Sequence, residues 1–336
     1  MIQEAIAKLV DGLHLSAGEA ERIMDQIMTG EATPAQIGGY LVALRMAGEK
    51  PEEIAGSVRS MRAKVTPVKT KHPHIVDTCG TGGDGTSTFN ISTTAAFVVA
   101  GAGQPVAKHG NRSVSSKSGS ADVLLALGVN LEISPEQVGK CLDEALFGFL
   151  FAPALHGAMK HAIGPRRELA MRSIFNIMGP LTNPAGAQCQ LVGVYAPQLT
   201  EIAADVLGKV GAKRALVVHG HDGMDEITLT GPTRVSEWDG EQVKTYDVSP
   251  GDAGIAEAPI AELIGGTPED NAKILRSILG GEKGPARDVV LLNASAALMA
   301  AGKVENLTEG VAMAAESIDS GKASGALDRL IEVSNE

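Results

Sequence analysis

From His74 onward the sequence is written in short apolar runs, each closed by a turn or followed by a helical stretch: HIVDTCG, TTAAFVVAGAG, PVAKHG and ADVLLALGV. Parallel strands give this rhythm, because a strand reaches a parallel neighbour only through a crossover, usually a helix. It continues through FGFLFA, QLVGVYA and RALVVHG. The pattern predicts an α/β domain with a central, mainly parallel sheet flanked by helices. Near Arg234 to Asp247 the residues alternate around Asp239 and Gly240, which predicts a hairpin with a tight primed turn. After Thr267 and Pro268, a helix-start pair, the chain returns to helix.

The residues before His74 follow a different period. Ser16 with Glu19, and Thr33 with Gln36, fit the capping box, and Pro34 and Pro51 occupy first-turn positions where a missing N–H does no harm. A small helical domain is expected over 1–70 and a large α/β domain over 71–336, with VTPVKTKHPH at 65–74 as the linker. A chain of 336 residues has ample material for both.

Composition narrows the function. Aromatic residues make up 3% of the chain, too few for the stacking platforms of single-strand nucleic-acid readers, and a net charge of -11 repels polyphosphate backbones. Any bound anion is therefore expected to be small and held by local donors. Three cysteines, Cys79, Cys141 and Cys189, without a CxxC pair fit reduced thiols and neither a disulfide framework nor a structural zinc site. With acids and helical periodicity at its start and no long apolar run, the chain is expected to be cytoplasmic.

The strongest local signal is DTCGTGGDGTSTFNIST, residues 77–93. Gly80, Gly82, Gly83 and Gly85 crowd a turn between an apolar strand and a helix, where missing side chains let backbone N–H groups close on phosphate oxygens. GTGGDG also satisfies the dinucleotide fingerprint, but the place for its ribose-binding acid holds Val106, Ala107 and Lys108. No lysine follows the last glycine as a phosphate-loop NTPase requires. A cation at the end of the next strand suits a further phosphate.

That cation opens KHGNRSVSSKSGS, which has two lysines, an arginine, a histidine, five serines and no apolar face. It is expected to be an ordered loop whose donors suit a pyrophosphate and a sugar phosphate. After the strand RALVVHG stand Asp225 and Glu226. Roughly five adjacent acidic pairs arise by composition alone, so position carries the argument: Mg²⁺ takes one or two carboxylates plus water and phosphate oxygens, which a strand-end pair supplies. His156 and His221 are candidate bases, although lone histidines are more often structural. Cys79 abuts the loop without a basic partner and reads as a small buried residue.

Together, DTCGTGGDGTSTFNIST, KHGNRSVSSKSGSADVLLALG, the later MDE, and HGAMKHAIGPRRELAMRSIFNIMGPLTNPAG from His156 onward resemble the anthranilate phosphoribosyltransferases. The resemblance implies transfer of the phosphoribosyl group of 5-phosphoribosyl 1-pyrophosphate to the amine of anthranilate, a step of tryptophan biosynthesis. It implies a homodimer formed through the helical domain, which the segment about 168–186 rejoins. It assigns the sugar donor to Gly80, Gly83, Asp84, Thr88, Asn90, Ile91, Ser92 and Thr93 on the first loop and helix. On the second segment it assigns Lys108, His109, Gly110, Asn111, Arg112, Ser113, Val114, Ser115, Ser116 and Ser120. Anthranilate falls to Asn111 and Arg166, with Gly80 and His109 near its path, and Mg²⁺ to Ser92, Asp225 and Glu226. No covalent enzyme intermediate is expected. The main rivals are a pyrimidine nucleoside phosphorylase, typically longer at its C-terminus, and a non-catalytic nucleic-acid binder, which the acidity opposes.

Overall fold

The computed structural model describes residues 1–113 and 117–336. Helices α1 (Ile2–Val10), α2 (Ala17–Thr29), α3 (Pro34–Ala47) and α4 (Pro51–Lys64) form the N-terminal module. Both expected capping boxes are present: the backbone N–H of Ser16 donates to Glu19 at 2.8 Å, and that of Thr33 to Gln36 at 2.9 Å. Each cap satisfies amides a helix start leaves open, at about 1 kcal/mol apiece. Glu53, fully buried, accepts from the N–H of Leu15 at 2.9 Å and of Lys50 at 2.8 Å, tying the start of α4 to the α1–α2 connection.

The large domain is built on one seven-stranded sheet, β1 (Val76–Asp77), β2 (Val106–Gly110), β3 (Phe147–Phe151), β4 (Cys189–Gly193), β5 (Arg214–Gly220), β6 (Thr233–Trp238) and β7 (Val243–Val248), in the order β3-β2-β1-β4-β5-β6-β7. The pairings from β3 through β5 are parallel and those of β6 and β7 antiparallel, as a mainly parallel sheet requires. Strand alternation divides the core. On β5, Leu216 and Val218 face the cluster of C-terminal helices, while Ala215 and Val217 face the cluster shared with the N-terminal helices. In the first cluster Phe97 and Phe147 stack with centroids 4.3 Å apart. The second also takes in Ile174, Phe175, Ile177, Met178 and Leu181 from the stretch before β4.

The β6–β7 hairpin forms and closes tightly: the backbone N–H of Asp239 donates to the Gln242 carbonyl at 3.2 Å across Gly240, whose positive φ of 103° is the kind a primed turn takes, and Glu241. Trp238 and Val243 are the last ladder pair before this turn. The Asp239 carboxylate also accepts from the N–H of Glu241 at 2.9 Å and of Gln242 at 3.0 Å, a side-chain turn that reinforces the backbone one.

The sheet order also places the site. The chain leaves β1 for β2 on one side, and β4 lies on the other, so strand order reverses between β1 and β4. At such a switch point the connections diverge and open a crevice at the carboxyl ends of the strands.

Candidate functional site

The Gly-rich turn occupies that crevice. Gly80 forms a parallel bridge with Gly193 at the end of β4, and the N–H of Thr81 donates to the Gly193 carbonyl at 2.8 Å. The chain then enters the left-handed region at Gly82 (φ 63°), Gly83 (φ 76°) and Gly85 (φ 80°), conformations that side chains resist. Past the turn, the N–H of Phe89 donates to Leu263 at 3.0 Å and the chain runs into the helix Ile91–Gly101. An exposed loop is thus clamped at both ends.

The acidic pair meets this loop. Asp225 accepts from the N–H of Gly82 at 2.8 Å, and Glu226 from the N–H of Ser92 in the first turn of the helix at 3.2 Å. Burial, followed by the nearby charge of Asp84, pushes the Asp225 carboxyl up to about 7. Burial and then Asp225 itself push Glu226 up to about 8. Three acids are therefore crowded against a loop that presents amides.

Lys108, His109 and Gly110 are not in a loop, as their polarity suggested, but in β2. The reason lies in polar partners that no local pattern displays. The Lys108 ammonium is buried, donating to the Thr78 carbonyl and to Thr78 Oγ1 at 3.3 Å. Asp77, fully buried, accepts from the N–H of His109 at 3.1 Å and from the amide of Asn183 at 2.7 Å. Burial raises its carboxyl to about 6 against the pull of Lys108. The irregular segment begins at Asn111, which with Arg112 is exposed; the Asn111 carbonyl accepts from Ser120 Oγ at 3.3 Å, and the N–H of Ser113 donates to Asp122 at 3.0 Å. Val114, Ser115 and Ser116 lie outside the described residues.

Of the other first-loop residues, Asp84 accepts from the N–H of Thr86 at 3.3 Å, Thr88 bridges Ile264, and the Asn90 amide donates to the Ser118 carbonyl at 3.2 Å. Ile91 and Thr93, each 1% exposed, turn their side chains into the core, so what they present toward the crevice is backbone.

His109 and His156 form a buried dyad, Nε2 to Nε2 at 3.0 Å, with His109 Nδ1 3.0 Å from the Gly179 carbonyl. A carbonyl only accepts, so His109 carries its proton on Nδ1, and its Nε2 accepts from His156 Nε2–H. Burial, then the neighbouring His156, pulls His109 down to about 3, and burial pulls His156 down to about 4. Long-range ¹H–¹⁵N spectra at pH 7 should find both rings neutral with these tautomers, and a ring titrating at its usual ~6.5 would contradict the arrangement. The unfolded chain binds more protons than the folded one from about pH 6.5 down to about 3, so this pair's contribution to stability falls as pH drops through that window. His221 is elsewhere, exposed and 3.3 Å from Asp247 on β7. Burial raises the Cys79 thiol well above its ordinary value, which removes it as a nucleophile.

The helix Lys160–Leu169 packs against α3. Arg166 lies with its guanidinium 4.8 Å from the Phe175 ring centroid. Six residues on, Arg172 Nη2 donates to the Gly83 carbonyl at 2.7 Å, which ties the segment after this helix to the Gly-rich loop. Arg172, Asn183, Asp77 and Gly193 were not singled out from sequence. Gly193 alone had a visible signal, a glycine inside the apolar run QLVGVYA.

Among the described residues, no group of three or more His, Cys, Asp or Glu is arranged to hold a metal by itself. That suits a hard divalent cation of the magnesium type, which keeps most of its shell as water and substrate oxygen and takes only one or two carboxylates from protein. Two half-buried acids after a strand end, raised by burial and then by neighbouring carboxylates, are such a donor set.

The chain matches two family models, the helical bundle domain of a glycosyl transferase family over residues 3–65 and its a/b domain over residues 72–324. It is 58% identical over 331 residues to the anthranilate phosphoribosyltransferase of Moorella thermoacetica, covering 98% of each chain. Among solved structures it is similar to the anthranilate phosphoribosyltransferase of Thermus thermophilus, with a TM-score of 0.94, 46% identity and 99% of each chain covered. It is also similar to the enzyme of Saccharomyces cerevisiae in complex with PRPP and Mg, with a TM-score of 0.90, 29% identity, and 99% of this chain and 98% of that one covered. A Gly-rich loop at the switch point, an acid pair facing it and full-length similarity agree: the chain belongs to the anthranilate phosphoribosyltransferase family.

Proposed function

We propose that this chain transfers the phosphoribosyl group of 5-phosphoribosyl 1-pyrophosphate to the amine of anthranilate, releasing pyrophosphate. The observation that carries this reading is the Gly82 amide donating to a carboxylate oxygen of Asp225 at 2.8 Å, because a loop that offers N–H to an anion offers it equally to a diphosphate. The chemistry fits the residues. An aryl amine is neutral at pH 7 and attacks the anomeric carbon without a strong base, so the neutral histidine dyad is no obstacle. Negative charge grows on the departing diphosphate, and N–H groups aimed there lower the barrier electrostatically.

Gly80, Gly83, Asp84, Thr88 and the first turn of the following helix bind the donor, together with Lys108 to Ser116 and Ser120. Lys108 stays beneath the site, bonded to Thr78, and adds a buried positive charge. Ser92, Asp225 and Glu226 hold Mg²⁺, which when bound neutralises diphosphate charge. Asn111 and Arg166 orient anthranilate so that its nitrogen faces the sugar, with Gly80 and His109 along its path. Arg166→Ala is expected to weaken anthranilate binding by about 1.5 to 3 kcal/mol, the range for a hydrogen bond to a charged group, read as a rise in the anthranilate KM; an unchanged KM would reject the role.

The reading divides the chain into a helical domain over 1–70 joined by about 168–186, and an α/β domain over 71–336. Two copies pair through the helical domain. Support comes from Val10 at 71%, Leu13 at 56% and Met46 at 84% exposure, large apolar side chains on the N-terminal module that a partner copy would cover. Sedimentation of the purified protein should report a dimer. No helix is long and apolar enough to cross a membrane among the described residues, and the reading includes a cytoplasmic location. The direct test incubates the protein with anthranilate, the donor and Mg²⁺. Anthranilate should be consumed one for one with pyrophosphate release only when all three are present, and no turnover would overturn the proposal.

A further inference from the structure

Arg172 takes no part in the reaction outlined above, yet it joins three parts of the site. Its Nη2 donates to the Gly83 carbonyl at 2.7 Å, and its guanidinium lies over the Tyr195 ring, 4.0 Å from the centroid. Arg172 follows the helix that carries Arg166, Gly83 belongs to the Gly-rich loop, and Tyr195 follows β4. Tyr195 is itself tied to that loop, its N–H donating to Thr81 Oγ1 at 3.0 Å. The charges of Arg45, in the last turn of α3, and of Glu49, just after it, reach the same phenol, so this ring stands where the helical module meets the loop.

A peptide plane is rigid and trans, so a carbonyl and the N–H that follows it point in opposite directions. Holding the Gly83 carbonyl toward Arg172 therefore turns the N–H of Asp84 the other way. In a stretch with left-handed glycines at 82, 83 and 85, that plane has several orientations of similar energy unless something holds it. A guanidinium resting on an aromatic shelf is suited to the task, because ring and fork are both planar and the contact restricts the long side chain.

We infer that Arg172 is a positioning residue, held on Tyr195, that sets the 83–84 peptide for the donor's diphosphate and couples that loop to the segment after the Arg166 helix. The inference rests on the function proposed above and deepens it. Arg172 is exposed, so its replacement should leave the melting temperature unchanged. Arg172→Gln and Tyr195→Leu should each raise the donor KM and its calorimetric Kd about tenfold, with kcat altered less. Tyr195→Phe, which keeps the ring, should rescue what Tyr195→Leu loses, and the double variant should be no worse than either single one, since both remove the same contact. If neither single variant weakens donor binding, the inference is overturned. If Arg172→Gln weakens binding while Tyr195→Leu is silent, the guanidinium touches the donor directly and the positioning role is overturned. Parent protein that neither binds donor nor consumes anthranilate would instead strike the proposed function, which separates the two failures.

Discussion

Replacing Gly193 by alanine is expected to lower phosphoribosyl transfer about 100-fold, the scale on which a misplacement of about 1 Å reduces catalysis. A Cβ at this position would stand 1.6 Å from the Asp225 carbonyl oxygen and 2.6 Å from its carbonyl carbon. Backbone atoms cannot swing aside as a side-chain tip can, so either the strand end or the acidic loop must shift. Both shifts reach the site. Gly193 anchors Gly80 and Thr81 on one side, and Asp225 holds Gly82 on the other. The variant should also lose stability, because β4 is a central strand paired on both edges. Gly325→Ala, where an added Cβ meets nothing within 4 Å, is the matched control and should leave kcat/KM unchanged. A Gly193→Ala protein with parental donor affinity and rate would show that the acidic loop does not depend on this close approach.

The second large effect has two signs. Asp225→Asn together with Glu226→Gln should remove most of the Mg²⁺-dependent activity while making the metal-free protein more stable. Activity falls because the charged donors of the cation are gone. Stability rises because crowded carboxylates oppose folding when ionised: a group whose folded pKa is raised, here to about 7 and about 8, contributes stability below its unfolded value of about 4 and loses it as pH climbs through the folded one. The neutral variant escapes that loss. Its melting temperature should therefore exceed the parent's at pH 8 by several degrees, on the order expected for 1–2 kcal/mol in a chain this size, and the gap should close near pH 4. Full activity at low Mg²⁺ would remove the two acids from metal binding. A double variant less stable than its parent at pH 8 would show that the pair is satisfied without a cation.

The architecture was legible because its signals are local and periodic. Ser16 with Glu19 and Thr33 with Gln36 announce helix starts through neighbouring side chains, and the short apolar runs announce parallel strands. The Gly-rich loop was legible for a similar reason, since positive φ leaves a compositional trace. What could not be read were choices made between distant segments. KHG looks like the start of a polar loop, yet it is a strand, because Asp77, Thr78 and Asn183 supply buried partners from elsewhere in the chain. Arg172 resembles any exposed arginine until folding places Gly83 and Tyr195 beside it.

The proposed mechanism depends on one physical claim, that the backbone amides of residues 80–85 grip the departing diphosphate. A crystal structure with 5-phosphoribosyl 1-pyrophosphate and Mg²⁺ tests it most directly. Diphosphate oxygens should lie within hydrogen-bonding distance of those N–H groups, and Asp225 and Glu226 should face the bound cation. Donor bound elsewhere, with residues 80–85 bare of phosphate, would contradict it.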